Sequence, residues 1–272
     1  MYSGGLHGAR GYVLHGRVRV FRSEFFNDYT TYSFGYCEYA EREAGEGVGP
    51  FYDAGFLPYS GDTRIKADVF YRARSLRVDL ERMRFDKKRR YQQRAVEQEA
   101  VEFRAEPKDA FLKRAGRRFR ADAIAWIEQR FEQAYLNDAR LDYVLGKDFL
   151  NTVLYASLRS RPVAYALVCR WEDGFHFWYS FYDSARHTKL SLGKWLMGRA
   201  LEWGRSEGLR HGYLGTGYGA KSAYKTQGVE GAAFHDGNEW VSDKERLTFL
   251  RQRDVLRPAL RTDLYKEGLY GE

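Results

Sequence analysis

Residues 162–216 restrict the fold more than any other part of the chain. PVAYALVCRW (162–171) and FHFWYSFY (175–182) are two strand-like runs on either side of Asp173-Gly174, a dipeptide that closes tight hairpins because it tolerates positive φ. KLSLGKWLMGRALEWGRSEG (189–208) follows, with Leu192, Leu196, Ala200 and Trp203 aligned on one helical face. GYLGTG (212–217) then starts as a short strand. The order strand, strand, helix, strand permits layered α/β packing in this half of the chain.

Upstream, residues 11–40 alternate aromatic and polar side chains, which predicts strands with a turn near Asn27-Asp28. AEREAGEGVGP (40–50) reads as a helix end followed by a loop. Gly55, Pro58 and Gly61 punctuate the next segment, and SLRVDL (75–80) reads as a strand. The charged stretch 86–104 reads as helical. AIAWIEQRFEQAYL (123–136) puts Ile124, Ile127, Phe131 and Tyr135 on one face. At 272 residues the chain has room for one large domain or two ordinary ones. Its organisation is read as a smaller N-terminal α+β domain over 1–104 and a mixed-sheet C-terminal domain over 105–272.

Charge narrows the partners. Net charge is +8, and RMRFDKKRRYQQR (82–94) and KRAGRRFR (113–120) concentrate the cations, with Phe85, Tyr91 and Phe119 interleaved. One such cluster fits a solvated helix face equally well, whereas two favour a polyanion such as RNA. Lys87, Lys88, Arg89, Arg90, Arg117 and Arg118 are the expected RNA contacts. Two cysteines, Cys37 and Cys169, make no disulfide framework or thiolate metal site, and the six histidines lack ligand spacing. Cys169 reads as a buried, inert thiol. No run approaches the roughly 20 apolar residues of a membrane span, and MYSGGLHGARG has no apolar leader core. These features predict a cytoplasmic protein without metal or cofactor.

HGYLGTGYGAKSAYKTQG (211–228) carries Gly215, Gly217 and Gly219 at alternate positions. That spacing fits neither the G-x-G-x-x-G nor the G-x-x-x-x-G-K-[ST] phosphate loop. FWYSFYD (177–183), LSLGKWL (190–196), YLGTGY (213–218) and KSAYK (221–225) stand in the order of four motifs of another kind. Together they resemble the C-terminal part of arginyl-tRNA–protein transferases, with their Tyr-Asp strand end, Ser-Leu-Gly helix start, Leu-Gly-aromatic strand end and Lys-Met-x-Tyr-Lys segment. GFLPYSGD (55–62), SLRVDL and RMRFDKKRR are similar, more weakly, to that family's N-terminal part. The resemblance spans most of residues 50–240. It departs from the family at Ala67, Phe70 and Ala73, which stand where the family's cysteine motif falls. It departs again at Thr216 and Gly217 in place of paired aromatics, and at Ser222 in place of Met.

The resemblance implies an acetyltransferase-like (GNAT-like) fold and transfer of an amino acid from tRNA to an amine, above all a protein or peptide N-terminus. Aminoacyl-tRNA is then a co-substrate, and the identity of the amino acid stays open. Tyr182, Asp183 and Tyr224 are the expected catalytic groups. Tyr179, Ser191, Gly193, Gly215, Thr216, Gly217, Lys221 and Lys225 are expected to bind substrate, with Tyr179 and Tyr182 stacking on the terminal adenosine. Plainer readings stand beside these: strand packing for the two tyrosines, a turn or cap for Asp183, a helix cap for Ser191. His187 and His211 are weaker candidates for a base. Two other functions stay open, a coenzyme A-dependent N-acetyltransferase and an RNA-binding module without catalysis. A lone glycine at the helix start, Gly193, argues against the coenzyme A donor.

Overall fold

A computed structural model describes residues 21–23, 37–61, 63–129, 136–217 and 220–256, the side chains of 21–23, 37–38, 220–221 and 253–256 excepted. The elements run β1 (Phe21–Ser23), β2 (Cys37–Arg42), α1 (Gly49–Asp53), β3 (Leu57–Pro58), β4 (Asp68–Arg72), β5 (Ser75–Asp79) and β6 (Arg84–Phe85). Then come α2 (Lys87–Glu97), β7 (Val101–Pro107), α3 (Lys108–Glu128), α4 (Asp138–Leu145), β8 (Leu150–Leu158), β9 (Arg161–Arg170) and β10 (Gly174–Tyr182). The chain continues through α5 (Leu192–Ser206), β11 (His211–Thr216), a 3-10 turn (Ala220–Lys225), β12 (Val229–Glu230), β13 (Ala232–His235), β14 (Trp240–Val241) and α6 (Lys244–Leu256).

Two compact units share these elements: Met1–Ser75 with Thr216–Ala220 and Ala233–Glu272, and Leu76–Gly215 with Lys221–Ala232. The chain passes from one to the other at Ser75/Leu76 and not after residue 104, because β7 runs unbroken across that position as part of a sheet. In the first unit, strands lie in the order β1-β2-β4-β3. Residues 40–42 continue β2, paired with β4 from Ala40↔Phe70 to Arg42↔Asp68, where a helix end was expected. An ion pair of 2.7 Å between Arg42 and Asp68 closes that ladder, so cross-strand partners override the helix propensity of the Glu- and Ala-rich segment. Phe70 and Ala73 are wholly buried, and Phe70 packs 4.8 Å from Phe51, so both positions belong to an apolar core. The expected turn at Asn27-Asp28 and the positions of Phe131 and Tyr135 lie outside the described residues.

In the second unit, strands lie side by side in the order β5-β11-β10-β9-β8-β7, antiparallel from β7 to β10 and parallel between β10 and β11. This is the expected mixed α+β architecture. β9 is buried without alternation from Val163 to Cys169, as a strand covered on both faces must be. On one face α3 brings Phe111, Phe119 and Trp126 against Tyr165. On the other, α5 buries Trp195, Leu196, Ala200 and Leu201 and meets Phe175 at Gly204. The charged segment 86–104 splits. Asp86 caps α2 by accepting from the Arg89 N–H at 2.7 Å, the helix ends at Glu97, and Ala100 turns the chain at φ +56° into β7. The predicted hairpin at Asp173-Gly174 joins β9 to β10 as expected.

Candidate active site

The C-terminal end of β10 carries Tyr182 and leads into Asp183, and β11 runs beside its first half. β10 and β11 pair at Gly174↔His211, Phe175↔Gly212 and His176↔Tyr213, and their pairing goes no further. β10 then carries an irregularity between Phe177 and Tyr179. A bulge bends one strand away from its neighbour, and the crevice beyond the carboxyl ends of parallel strands is where open α/β sheets receive ligands. The 3-10 turn delivers Lys225 to this fork. A Cβ on Gly215 would sit 3.2 Å from Lys225 Nζ, and Gly215 holds φ +77°. A side chain at that position would therefore be strained and would crowd the ammonium.

His176, the last paired residue of β10, is 2 % exposed. Burial first, and then the Lys225 ammonium, pushes its pKa down to about 3. It is a neutral imidazole at physiological pH and no proton acceptor there. His211 is likewise held down to about 4, by burial and then by Arg77 and Arg210. The sequence carries no signal for His176, because nothing local tells that the strand is buried on both faces.

Tyr182 lies over the first turn of α5, where a Cβ on Gly193 would come within 2.7 Å of its ring. Ser191 occupies the N-cap position but makes no side-chain cap hydrogen bond, so the opening N–H groups of α5 are left to other acceptors. Tyr179 faces the other way. It stacks on Phe181 (6.1 Å, 17°), which in turn meets Phe119 of α3. A spacing of three residues along a strand sends two side chains to opposite faces, so Tyr179 and Tyr182 cannot share one base as expected. Gly193→Ala should destabilise the protein, although alanine in a helix otherwise gains about 0.5–1 kcal/mol over glycine. Removing the ring with Tyr182→Ala in the same chain should turn that alanine stabilising, as urea unfolding of the single and double variants would read. A stabilised Gly193→Ala single variant would refute the contact.

Asp183 follows directly. Its N–H extends the β9–β10 ladder to Val163 O at 3.0 Å, and its Oδ1 accepts from the Arg186 N–H at 3.0 Å. It is 4 % exposed and borders a cavity of about 190 Å³ shared with Arg118 of α3. The structure thus brings together Asp183 and Arg118, which sequence reasoning assigned to separate tasks.

The first basic cluster divides by helical face. Lys87, Lys88, Arg90, Tyr91 and Arg94 of α2 are exposed, Tyr91 at 75 %. Arg89 is not among the surface cations: it is 4 % exposed, and its guanidinium donates to the carbonyls of Tyr224 (3.0 Å), Gln227 (3.2 Å) and Lys194 (3.4 Å). Burial lowers its pKa, against the favourable charge of Asp86. Arg89, with Gln93 and Val96, repeats at helical spacing on the inner face of α2, so its neighbours in sequence point out while it points in. Arg117 and Arg118 are exposed on α3.

Of the remaining candidates, Tyr224 is 37 % exposed at the surface of the 3-10 turn and Ser222 is buried beside it. The Lys221 side chain lies outside the described residues. In the first unit Thr216 is buried, and Gly217 is tied at both ends. Its N–H donates to Arg74 O at 2.7 Å and its carbonyl accepts from Arg251 Nε of α6. Among the described residues no cluster of His, Cys, Asp or Glu could hold a metal, and no helix is long and apolar enough to cross a membrane.

Residues 82–226, more than half of the chain, match the acetyltransferase (GNAT) domain. The chain belongs to the GNAT domain family. The match begins just before α2, takes in β7 to β11, and ends one residue after Lys225, so this GNAT domain contains the fork and the basic helix. No curated protein matches the sequence. Among solved structures, this GNAT protein is similar to L-PGS from Bacillus licheniformis, with 15% identity and a TM-score of 0.44 over 81% of this chain and 73% of that one. It is also similar to FemX, with 6% identity and a TM-score of 0.43 over 79% and 68% of the two chains.

Proposed function

We propose that the protein is an aminoacyl-tRNA-dependent transferase that moves an amino acid from tRNA to an amine acceptor, with a protein or peptide N-terminus as the acceptor. The observation that carries this reading is the strut made by Arg89. It grows from a helix whose outer face is cationic and holds, through backbone carbonyls, both the turn bearing Tyr224 and Lys225 and the opening turn of α5. A polyanionic donor bound along α2 would therefore lie beside the two segments that frame the fork.

The chemistry asks little of the protein beyond placement, because the ester of a charged tRNA is already activated. The neutral amine attacks the ester carbonyl and a tetrahedral oxyanion forms. The C–O bond then breaks, and the ribose oxygen leaves with the proton that the amine gives up as the amide forms. In this reading Lys225 stabilises the oxyanion, with Tyr182 and Tyr224 as hydroxyl donors. Asp183, bound by the Arg186 N–H, orders the end of β10 beside Tyr182. His176 supplies a neutral wall. A donor of this kind implies a cytoplasmic protein.

Family membership favours one second reading, acyl transfer from coenzyme A, in which the uncapped start of α5 would face the pyrophosphate. Purified protein incubated with total charged tRNA bearing labelled amino acids, and with peptides of varied N-termini, should transfer the label. Label arriving only from acetyl-coenzyme A would overturn the proposal, as would tight tRNA binding with no transfer to any peptide or small amine.

Neutralising Lys87, Lys88, Arg90 and Arg94 to alanine should weaken tRNA binding and flatten its dependence on salt by about 0.9 in log–log slope for each phosphate that is no longer neutralised. Unchanged affinity in a salt titration would remove α2 from the RNA footprint.

A further inference from the structure

The cavity beside Asp183 has a chemistry of its own. Three arginines line it from three separate elements: Arg118 from α3, Arg161 from the start of β9, and Arg186 from the segment after β10. Its two carboxylates are already engaged. Asp183 accepts from the Arg186 N–H, with Oδ2 3.7 Å from Arg186 Nε. Asp122 Oδ2 accepts from the Tyr165 hydroxyl at 2.9 Å and lies 3.4 Å from Arg118 Nε. Arg161, by contrast, has no acidic partner among the described residues and is exposed.

Arg161 opens β9 straight after a two-residue hairpin. Arg159 and Ser160, its two central residues, both sit in the left-handed region, at φ +50° and +63°. Positive φ at both positions is the geometry that two-residue hairpins favour. On the other side Pro162 fixes its own φ. Arg159 and Arg117, close in sequence to Arg161 and Arg118, are exposed as well, so further cations are available beside the lining arginines in the chain. A single carboxylate would use Arg161 alone, whereas a ligand that draws on several of these cations carries repeated negative charge.

We infer that this cavity is a phosphate-docking site for an RNA strand, with Arg161 and Arg186 gripping one phosphodiester. The inference rests on the tRNA-donor reading for its biological ligand but concerns binding alone. Guanidinium forks match phosphate oxygens in pairs. The site is separate from the α2 face in sequence and in element, so it gives the RNA a second point of attachment, at the end of β10.

The test uses the intact protein and uncharged total tRNA, read by fluorescence anisotropy across a salt series. Arg161→Gln with Arg186→Gln should lower affinity about tenfold and reduce the log–log salt slope by about one. The urea midpoint should move little, since both side chains are exposed. Asp183 keeps its bond from the Arg186 backbone N–H, the 3.7 Å ion pair being the part that is lost. Arg161→Lys should keep the salt slope while losing part of the affinity, because charge survives and the fork does not. Unchanged tRNA affinity in the double variant overturns the inference. So does a loss confined to acidic acceptor peptides, which would make the cavity a carboxylate site. Loss of tRNA binding in the double variant together with absence of transfer in the wild type would uphold this site and sink the proposed reaction.

Discussion

Arg89→Met should unfold about 2–4 kcal/mol more easily than the wild type, a cost set by backbone carbonyls left without their donor. The methionine fills much of the space, so packing loss is a minor part. What disappears is a single planar cation that reaches the carbonyls of Tyr224, Gln227 and Lys194 from inside the protein. Arg89→Lys should recover only part of the loss, because one ammonium cannot fork toward three oxygens on two elements. Aminoacyl transfer should fall in both variants by more than the fraction unfolded explains, since the freed turn carries Tyr224 and Lys225. Urea unfolding and transfer rates measured on the same samples separate the two effects. The salt dependence of tRNA binding gives an independent check. If Arg89→Met flattens it as much as Lys88→Ala does, Arg89 contacts RNA and the strut is wrong.

Acid should destabilise the protein well before its carboxylates titrate. Folded His176 is held neutral with a pKa of about 3, against 6.5 for a free imidazole. Between those values the unfolded chain binds a proton that the folded chain refuses. Stability therefore falls as pH drops below 6.5, at a slope approaching about 1.4 kcal/mol per pH unit for this one group, and is flat with respect to it above 6.5. His211, held near 4, acts with the same sign. His176→Gln should remove one proton's worth of that slope between pH 6.5 and 5, whatever it does to stability at pH 8. An identical slope in the variant would mean that His176 is protonated in the folded protein, and the buried neutral imidazole would be lost from the site.

Local signals were enough for the hairpin, α5 and β11, because the strand runs are rich in β-branched and aromatic residues, α5 keeps a helical period and Asp173-Gly174 marks the turn. They failed at 40–42 and 101–104, where charged, helix-prone residues are held as strands by partners distant in sequence, Asp68 to Phe70 and Tyr155 to Leu158. Tyr179 and Tyr182 read as a pair in the sequence and stand on opposite faces of the sheet. Arg89 reads as one more cation in a basic run, and only helical phase sends it inside.

By itself the sequence determined the order of elements from 162 to 216 and the basic character of α2 and α3, and it permitted the mixed α+β layering. These follow from residue type and spacing along the chain. The fork between β10 and β11, the Lys225–Gly215 approach, the neutral His176, the Arg89 strut and the arginine-lined cavity were decided by tertiary structure. Each depends on groups far apart in the chain meeting within a few ångströms, where burial and neighbouring charge set what a side chain does.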